Sequence, residues 1–402
     1  MPAEAKPRPP ADLLAARMQD PYPYFAWLRR HAPAHVERRP GRPAVWQISR
    51  YEDVHALLCD PRLSKDPGRV PGYMPGPSGL NRHLVHADPP DHTRLRTLVN
   101  AAFVPRRITL LEPFIAEVAH RLLDRIEHQV HIDLIADFAA PLTFRMICAI
   151  LGVPKHLDTA ATRDTLMATI APDTTADPAR AGRDLHALLD ALIAGKRAGE
   201  KSGGVDLLGA LVRAGDESGA MSEEELRSTA YLLLLVGHDT TMNLIGNGIL
   251  ALLRHRDQAA RLAGQDAGSG LLTTAVEELL RYDSPVRDAT FRCAGESIRL
   301  HGQTIGAGEI VSLLIGSANR DEEHFTDAGR LDVGRTPNDH LAFGYGPHFC
   351  IGAALARLEG AVAFPLLLER LGTVELAKPA EELPWRPARV MRGLAALPLV
   401  RR

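Results

Sequence analysis

What this chain of 402 residues has little of already narrows its chemistry. Its four cysteines, Cys59, Cys148, Cys293 and Cys350, lie far apart and form no C-x-x-C pair. That argues against a zinc site and against a disulfide framework, and fits a reducing cytoplasm. A net charge of −2 with mixed signs, and no dense Lys/Arg run beside an aromatic-rich strand, leave no electrostatic footprint for nucleic acid. Uninterrupted apolar runs are also scarce. The longest stretch, Tyr231 to Leu253, approaches membrane-spanning length but carries His238, Asp239 and Asn243 near its middle, so it reads as a buried helix and no membrane contact is expected. Nothing matches a G-x-G-x-x-G turn after a strand, a P-loop or a flavin segment. Met1 to Pro10 is Pro-rich, lacks the apolar core of a signal peptide and reads as a flexible tail. No composition break, charge run or internal repeat divides the chain, so residues 1–402 read as one domain with a large core.

What is present is helical periodicity. Apolar positions recur at three- and four-residue spacing in Pro113–Gln129, Ala140–Leu151, Ala181–Ala198, Glu223–Arg254, Leu271–Tyr282 and Ile351–Leu371. Short strand-like pieces lie at Val45–Ser49, Ser297–Leu300, Thr304–Ile305 and Ile310–Leu314, punctuated by Gly302, Gly306 and Gly308. The expectation is a mainly α protein with a small sheet beside a helical body. Ser64–Asp91 is rich in Pro and Gly without helical period; placed between structured stretches, it reads as a lid.

Cys350 stands out for its setting, Phe343-Gly344-Tyr345-Gly346-Pro347-His348-Phe349-Cys350-Ile351-Gly352. The two central glycines permit positive φ and close backbone approach, Pro347 fixes one φ, and Ala353 to Glu359 are good helix formers. A thiol delivered to a helix start is favoured as the thiolate, the form that ligates a soft metal or attacks as a nucleophile. Metal ligation is the stronger reading here; a cysteine that merely packs is the reading for one without such a loop.

Three further constellations accompany it. The long helix opens on a capping box, Ser222 with Glu225, and its middle reads Val236-Gly237-His238-Asp239-Thr240-Thr241. Thr240 can turn its hydroxyl onto the Val236 carbonyl and open the ladder locally, and an acid beside two alcohols in a buried helix suggests a proton-delivery notch rather than a satisfied polar bend. Glu278 and Arg281 share a helix face three residues apart, followed at once by the stop Ser284-Pro285; as a surface pair they would mean little. In Asp88-Pro89-Pro90-Asp91-His92-Thr93-Arg94-Leu95-Arg96, His92 and Arg96 face the same way and suit a carboxylate, although His92 alone reads as a surface histidine.

Together these segments resemble the cytochrome P450 family of haem-thiolate monooxygenases, particularly its bacterial branch without a membrane anchor. Phe343–Gly352 resembles the haem-binding loop, Gly237–Thr241 the oxygen-activation motif, Glu278 and Arg281 the Glu-x-x-Arg pair, and Asp88–Arg96 the propionate-binding segment; the match spans nearly the whole chain. The resemblance implies the P450 fold, with haem b (iron protoporphyrin IX) between the long central helix and the Cys-bearing helix. It implies Cys350 as the axial thiolate, Phe343 beside its sulfur with Gly344 and Gly352 in the same loop, and His92, Arg96, Arg292 and His348 on the propionates. Arg287 competes with Arg292 for that place. Asp239 and Thr240 would hold the waters that supply protons, Glu278 and Arg281 would brace the backbone below the haem, and Val236, where many relatives carry alanine, would crowd the distal pocket slightly.

The same resemblance implies O2 activation and insertion of oxygen into a small hydrophobic organic substrate, by hydroxylation or epoxidation of a macrolide- or polyketide-like secondary metabolite. Electrons would come from a ferredoxin and its reductase, docking near Cys350 where Arg357 and Arg106 or Arg107 present positive charge. Val236, Gly237, Arg287, Ala289, Thr290, Val390 and Met391 are the expected pocket residues, with the lid and the region Thr165–Thr175. Oxidative coupling or peroxygenation on the same fold, and a haem sensor without catalysis, stay open as alternatives.

Overall fold

Apolar stripes become helices where a side chain caps the first free amides and a turn residue ends the run. A computed structural model describes residues 8–38, 40, 43–73, 79–103, 108–169, 177–199, 206–265 and 269–402. All six expected helices form, as Glu112–Ile126, Ala140–Leu151, Pro178–Arg197, Glu223–Arg254, Gly270–Tyr282 and Ala353–Leu371. Local chemistry sets their ends. Pro178–Arg197 starts earlier than its apolar stripe because Pro178 occupies the first turn and the Asp177 carboxylate accepts from Arg180 N. The long helix opens as its capping box requires, with Glu225 N donating to Ser222 Oγ at 3.2 Å and Ser222 N donating to Glu225 Oε2 at 2.8 Å. Ala140–Leu151 ends on Gly152 in the left-handed region, φ 71°. Leu207–Ser218 is a helix that the apolar spacing does not predict: Gly209 and Gly215 interrupt its apolar run, while Asp206 caps it.

The chain forms two compact units. One comprises Met1–Tyr73, Asn243–Cys350 and Gly372–Arg402, the other Met74–Met242 and Ile351–Leu371. In the first, five short strands pair in the order Ala34–Glu37, Val45–Ile48, Ile310–Leu313, Cys293–Ala294, Leu63–Ser64. Val45–Ile48 and Ile310–Leu313 run parallel and the other pairs antiparallel, with Trp46 opposite Val311 and Ile48 opposite Leu313. Trp46, Ile48, Leu57, Ala294, Leu313 and Phe325 belong to one buried cluster, and the Trp46 indole N–H donates to Glu309 Oε2 at 2.7 Å. Ile298–Leu300 and Gln303–Ile305 form a hairpin whose turn, His301-Gly302, has φ of 48° and 70°. In the second unit, Phe144, Ile147, Leu185, Leu189, Leu211 and Leu233 pack into an aliphatic core.

The expected lid is anchored at both flanks. Ser64 pairs with Cys293, and buried Lys65 donates from Nζ to Thr290 Oγ1 at 2.6 Å in the first unit. Leu80 and Leu84 join the core of the second. Residues 74–78 of that segment, residues 1–7 of the expected tail, Arg106, Arg107 and residues 170–175 lie outside the described residues. No helix among the described residues is long and apolar enough to cross a membrane.

Candidate active site

The cysteine loop is closed by its own backbone. Cys350 N donates to Phe343 O at 2.9 Å, Phe349 N to Gly346 O at 3.0 Å, and Gly344 N to Leu341 O at 2.8 Å. Gly344 and Gly346 adopt φ of 71° and 74°, the left-handed region in which a side chain is strained. At Gly346 the restriction is also steric, because an added Cβ would collide with Cys59 Sγ. The loop ends in a turn at 351–352, and the helix begins at Ala353, two residues later than the apolar period suggests. Cys350 is exposed on this loop, whereas Cys148 and Cys293 are buried.

In the long helix, Thr240 Oγ1 donates to Val236 O at 2.8 Å, the bond anticipated from sequence. The helix nonetheless continues unbroken, so the hydroxyl adds to the ladder without opening it. Gly237 has a packing reason: a Cβ there would lie 2.5 Å from Ile147 Cδ1 of the neighbouring helix. His238 turns the same way, its Nδ1 2.8 Å from Thr143 Oγ1 and its ring edge-on to Phe144. Asp239 is buried at 1 % exposure.

Glu278 and Arg281 are both fully buried and paired through Nε–Oε2 at 2.7 Å and Nη2–Oε1 at 2.8 Å. Arg281 also donates to the carbonyls of Asn319, Ala328 and Arg330. Glu278 accepts from Asp332 N, Arg335 Nε and Asn338 Nδ2. The pair pins residues 319–338 to the helix Gly270–Tyr282.

His92 and Arg96 stand one turn apart on the helix Asp91–Ala102, the histidine buried and the arginine half-buried. Burial of His92 at 4 % exposure corrects the surface reading it receives alone. His348 is half-buried within the cysteine loop, and Phe343 and Phe349 of that loop have ring centroids 6.3 Å apart. Arg292 and Arg287 differ in their partners. Arg287 is engaged by Asp288 Oδ1 and by the Arg389 carbonyl. Arg292 is 3 % exposed, and its Nη1 donates to Thr290 O at 2.8 Å. Burial without a carboxylate to offset it pulls its pKa down to about 10. A buried guanidinium in this state fits an anionic group such as a haem propionate, and an exposed thiol on a tight loop fits an iron ligand.

The expected pocket residues divide. Val236 and Gly237 are half-buried in the long helix. Met391 bridges to Val286, and Val390 O accepts from Arg287 N at 2.8 Å and from Asp288 N at 3.2 Å, so these segments come together. Ala289 packs against the sheet core, and the carbonyl and hydroxyl of Thr290 are taken by Lys65.

Two features escape the sequence reading. Glu359, nine residues after Cys350, is fully buried and its carboxylate oxygens have no hydrogen bond of ordinary geometry among the described residues. Burial drives its pKa well above the ordinary 4.5, only partly offset by the Thr241 hydroxyl. Its one signal in the sequence is that of a lone acid within the otherwise uncharged run Leu358 to Phe364. The second is Asn243, which accepts from Arg386 Nη2 at 2.7 Å and lies so close to Gly393 that any Cβ there would collide with it. One turn on, Asn247 Nδ2 donates to Arg392 O and Asp283 O, so two asparagines hold the segment that follows Val390-Met391.

The chain belongs to the cytochrome P450 family: the family model for cytochrome P450 matches residues 12–152 and 270–385. It is thus an oxidoreductase of the haem-thiolate monooxygenase class, with the P450 fold, and the family implies a haem cofactor, O2, an organic substrate and a redox partner. The cytochrome P450 monooxygenase PikC of Streptomyces venezuelae is 43 % identical over 384 residues, covering 94 % of this chain and 91 % of PikC. The polyketide biosynthesis cytochrome P450 PksS of Bacillus subtilis is 37 % identical over 94 % of this chain and 95 % of its own. The tirandamycin C-bound structure of the P450 monooxygenase TamI superposes with a TM-score of 0.88 at 41 % identity, covering 96 % of this chain and 98 % of TamI.

Proposed function

We propose that this protein hydroxylates or epoxidises a macrolide- or polyketide-like intermediate, using electrons from a ferredoxin and haem b held by Cys350. The observation that carries the reading is the cysteine loop, whose two left-handed glycines and Cys350 N to Phe343 O bond present one exposed thiol at a fixed place. Arg292, His92, Arg96 and His348 would hold the propionates; buried Arg292, without a carboxylate partner, supports its share of that role over Arg287. The haem, when bound, supplies O2 activation. The protein's part is to position and to move protons.

Thr240 would present its hydroxyl oxygen as an acceptor, because its proton is committed to Val236 O. Asp239 would feed protons from the same turn. Glu359, its pKa raised by burial beside Thr241, would be a second proton donor in the same neighbourhood. Val390 and Met391, just before the segment held by the asparagines, would contact substrate, and Phe343 would pack beside the thiolate. Arg357, seven residues after Cys350, would contribute to ferredoxin docking. The substrate class is supported by PksS, named for polyketide biosynthesis, and by TamI with tirandamycin C bound. Replacing Thr240 by Ala should lower the ratio of product formed to electrons consumed, measured as product against NADPH oxidised; an unchanged ratio removes Thr240 from its role. Optical titration of the ferric protein with macrolides tests the substrate class, and displacement of the iron-bound water is the supporting outcome.

A further inference from the structure

A cavity of about 420 Å³ in the first unit has features of a ligand site that the activity above does not use. Its volume falls in the range of roughly 300–1,000 Å³ usual for small-molecule pockets, which pair an apolar lining with few placed polar groups. Phe25, Val45, Ile310 and Leu314 form the apolar wall. None of Cys350, His92, Arg96, Arg292, Asp239, Thr240, Val390 and Met391 lines it; Arg287, one of the residues expected around the substrate, does, held there by Asp288.

The polar groups leave one charge over. Arg17 pairs with Glu37 at 2.9 Å, and Arg287 with Asp288 at 3.3 Å, so four of the five charged lining groups among the described residues cancel. The fifth is Arg389, whose side chain is 53 % exposed at the rim and whose nearest carboxylate oxygen, Asp288 Oδ2, lies 4.0 Å from Nε. That oxygen already accepts from Ser312 Oγ at 3.0 Å and Asp288 is shared with Arg287, so two guanidiniums face one carboxylate there. Among the described residues Arg389 makes no side-chain hydrogen bond. The far end is fixed: Tyr24 Oη donates to Gln47 Oε1 at 2.5 Å, and Gln47 Nε2 to Glu37 Oε1 at 3.1 Å. An apolar wall with one net positive charge, carried to the mouth by Arg389, suits a singly charged amphiphile, head outward.

We propose that this cavity binds an aliphatic monocarboxylate, with the carboxylate on Arg389 and the chain against Phe25, Val45, Ile310 and Leu314, as a second ligand site beside the haem-dependent one. The test uses the haem-loaded protein with its iron saturated by a bulky azole, so that the substrate pocket is blocked. Equilibrium dialysis with labelled decanoate should then show one further saturable equivalent per chain. Arg389→Glu should weaken it at least about tenfold, since a charge-assisted hydrogen bond is lost and repulsion added, while Arg389→Lys retains most of it. Decyltrimethylammonium should not occupy the site. A diazirine analogue of decanoate should label the peptide carrying Met18 and Phe25. Absence of saturable decanoate binding, equal binding by Arg389→Glu, or equal retention of the ammonium probe would each overturn the proposal. Because the azole occupies the iron throughout, these outcomes are independent of whether the monooxygenase substrate is a macrolide.

Discussion

Two fully buried glutamates meet opposite surroundings. Glu278 accepts from Arg281 twice, from Asp332 N, from Arg335 and from Asn338, so a charge taken out of water is matched on all sides. Glu359 has the Thr241 hydroxyl beside it and little else, and burial raises its pKa well above the ordinary 4.5. The first arrangement suits a carboxylate that ties 319–338 in place. The second suits an acid that can lose and regain a proton, at a cost in stability. The same residue type is thus matched by partners in one unit and left almost without them in the other.

The largest effect that breaks this contrast is Glu278→Ala. It leaves the Arg281 guanidinium buried without its counter-charge, and loss of one partner of a buried pair costs about 3–5 kcal/mol. Urea unfolding measures it; a loss below about 1 kcal/mol would show that the set of bonds is not what holds 319–338. Next is Gly393→Ala, which forces a methyl onto Asn243 and should cost about 1–3 kcal/mol by overpacking. Asn243→Ala combined with it should recover part of that loss in the same unfolding assay.

Glu359→Gln sharpens the other side. A raised folded pKa means that above the ordinary 4.5 the native state binds more protons than the unfolded chain, so stability is fully present at low pH and falls as pH rises toward the folded pKa. Glutamine carries no such penalty. Unfolding measured from about pH 5 to about pH 8 should therefore show the variant gaining on the parent as pH rises. Parallel curves would mean that Glu359 is not held protonated. Smallest is Arg94→Ala: its pairs with Glu225 and Asp91 are partly exposed, and their loss should stay within about 1 kcal/mol.

The legible parts of the fold are those with a strong local cause. Ser222 and Glu225 announce a helix start, Ala140–Leu151 is read to the residue, and Gly344 and Gly346 mark a loop that needs positive φ. Leu207–Ser218 is not legible, because its glycines dilute the stripe that burial alone explains. The site divides in the same way. Thr240 and Val236 are neighbours on one helix, so their bond could be foreseen. The burial of Glu278 and Arg281, the burial of Arg292 and the meeting of Asn243 with Gly393 depend on segments brought together by the fold, and residue spacing carries no trace of them.

The claim on which the rest depends is that Cys350 supplies the axial thiolate, and the reduced carbon monoxide spectrum of single cysteine variants tests it most directly. Cys59→Ser, Cys148→Ser and Cys293→Ser should each keep the band typical of thiolate-ligated haem, and Cys350→Ser should lose it. Retention of that band by Cys350→Ser, or its absence from the parent protein loaded with haem, would contradict the account.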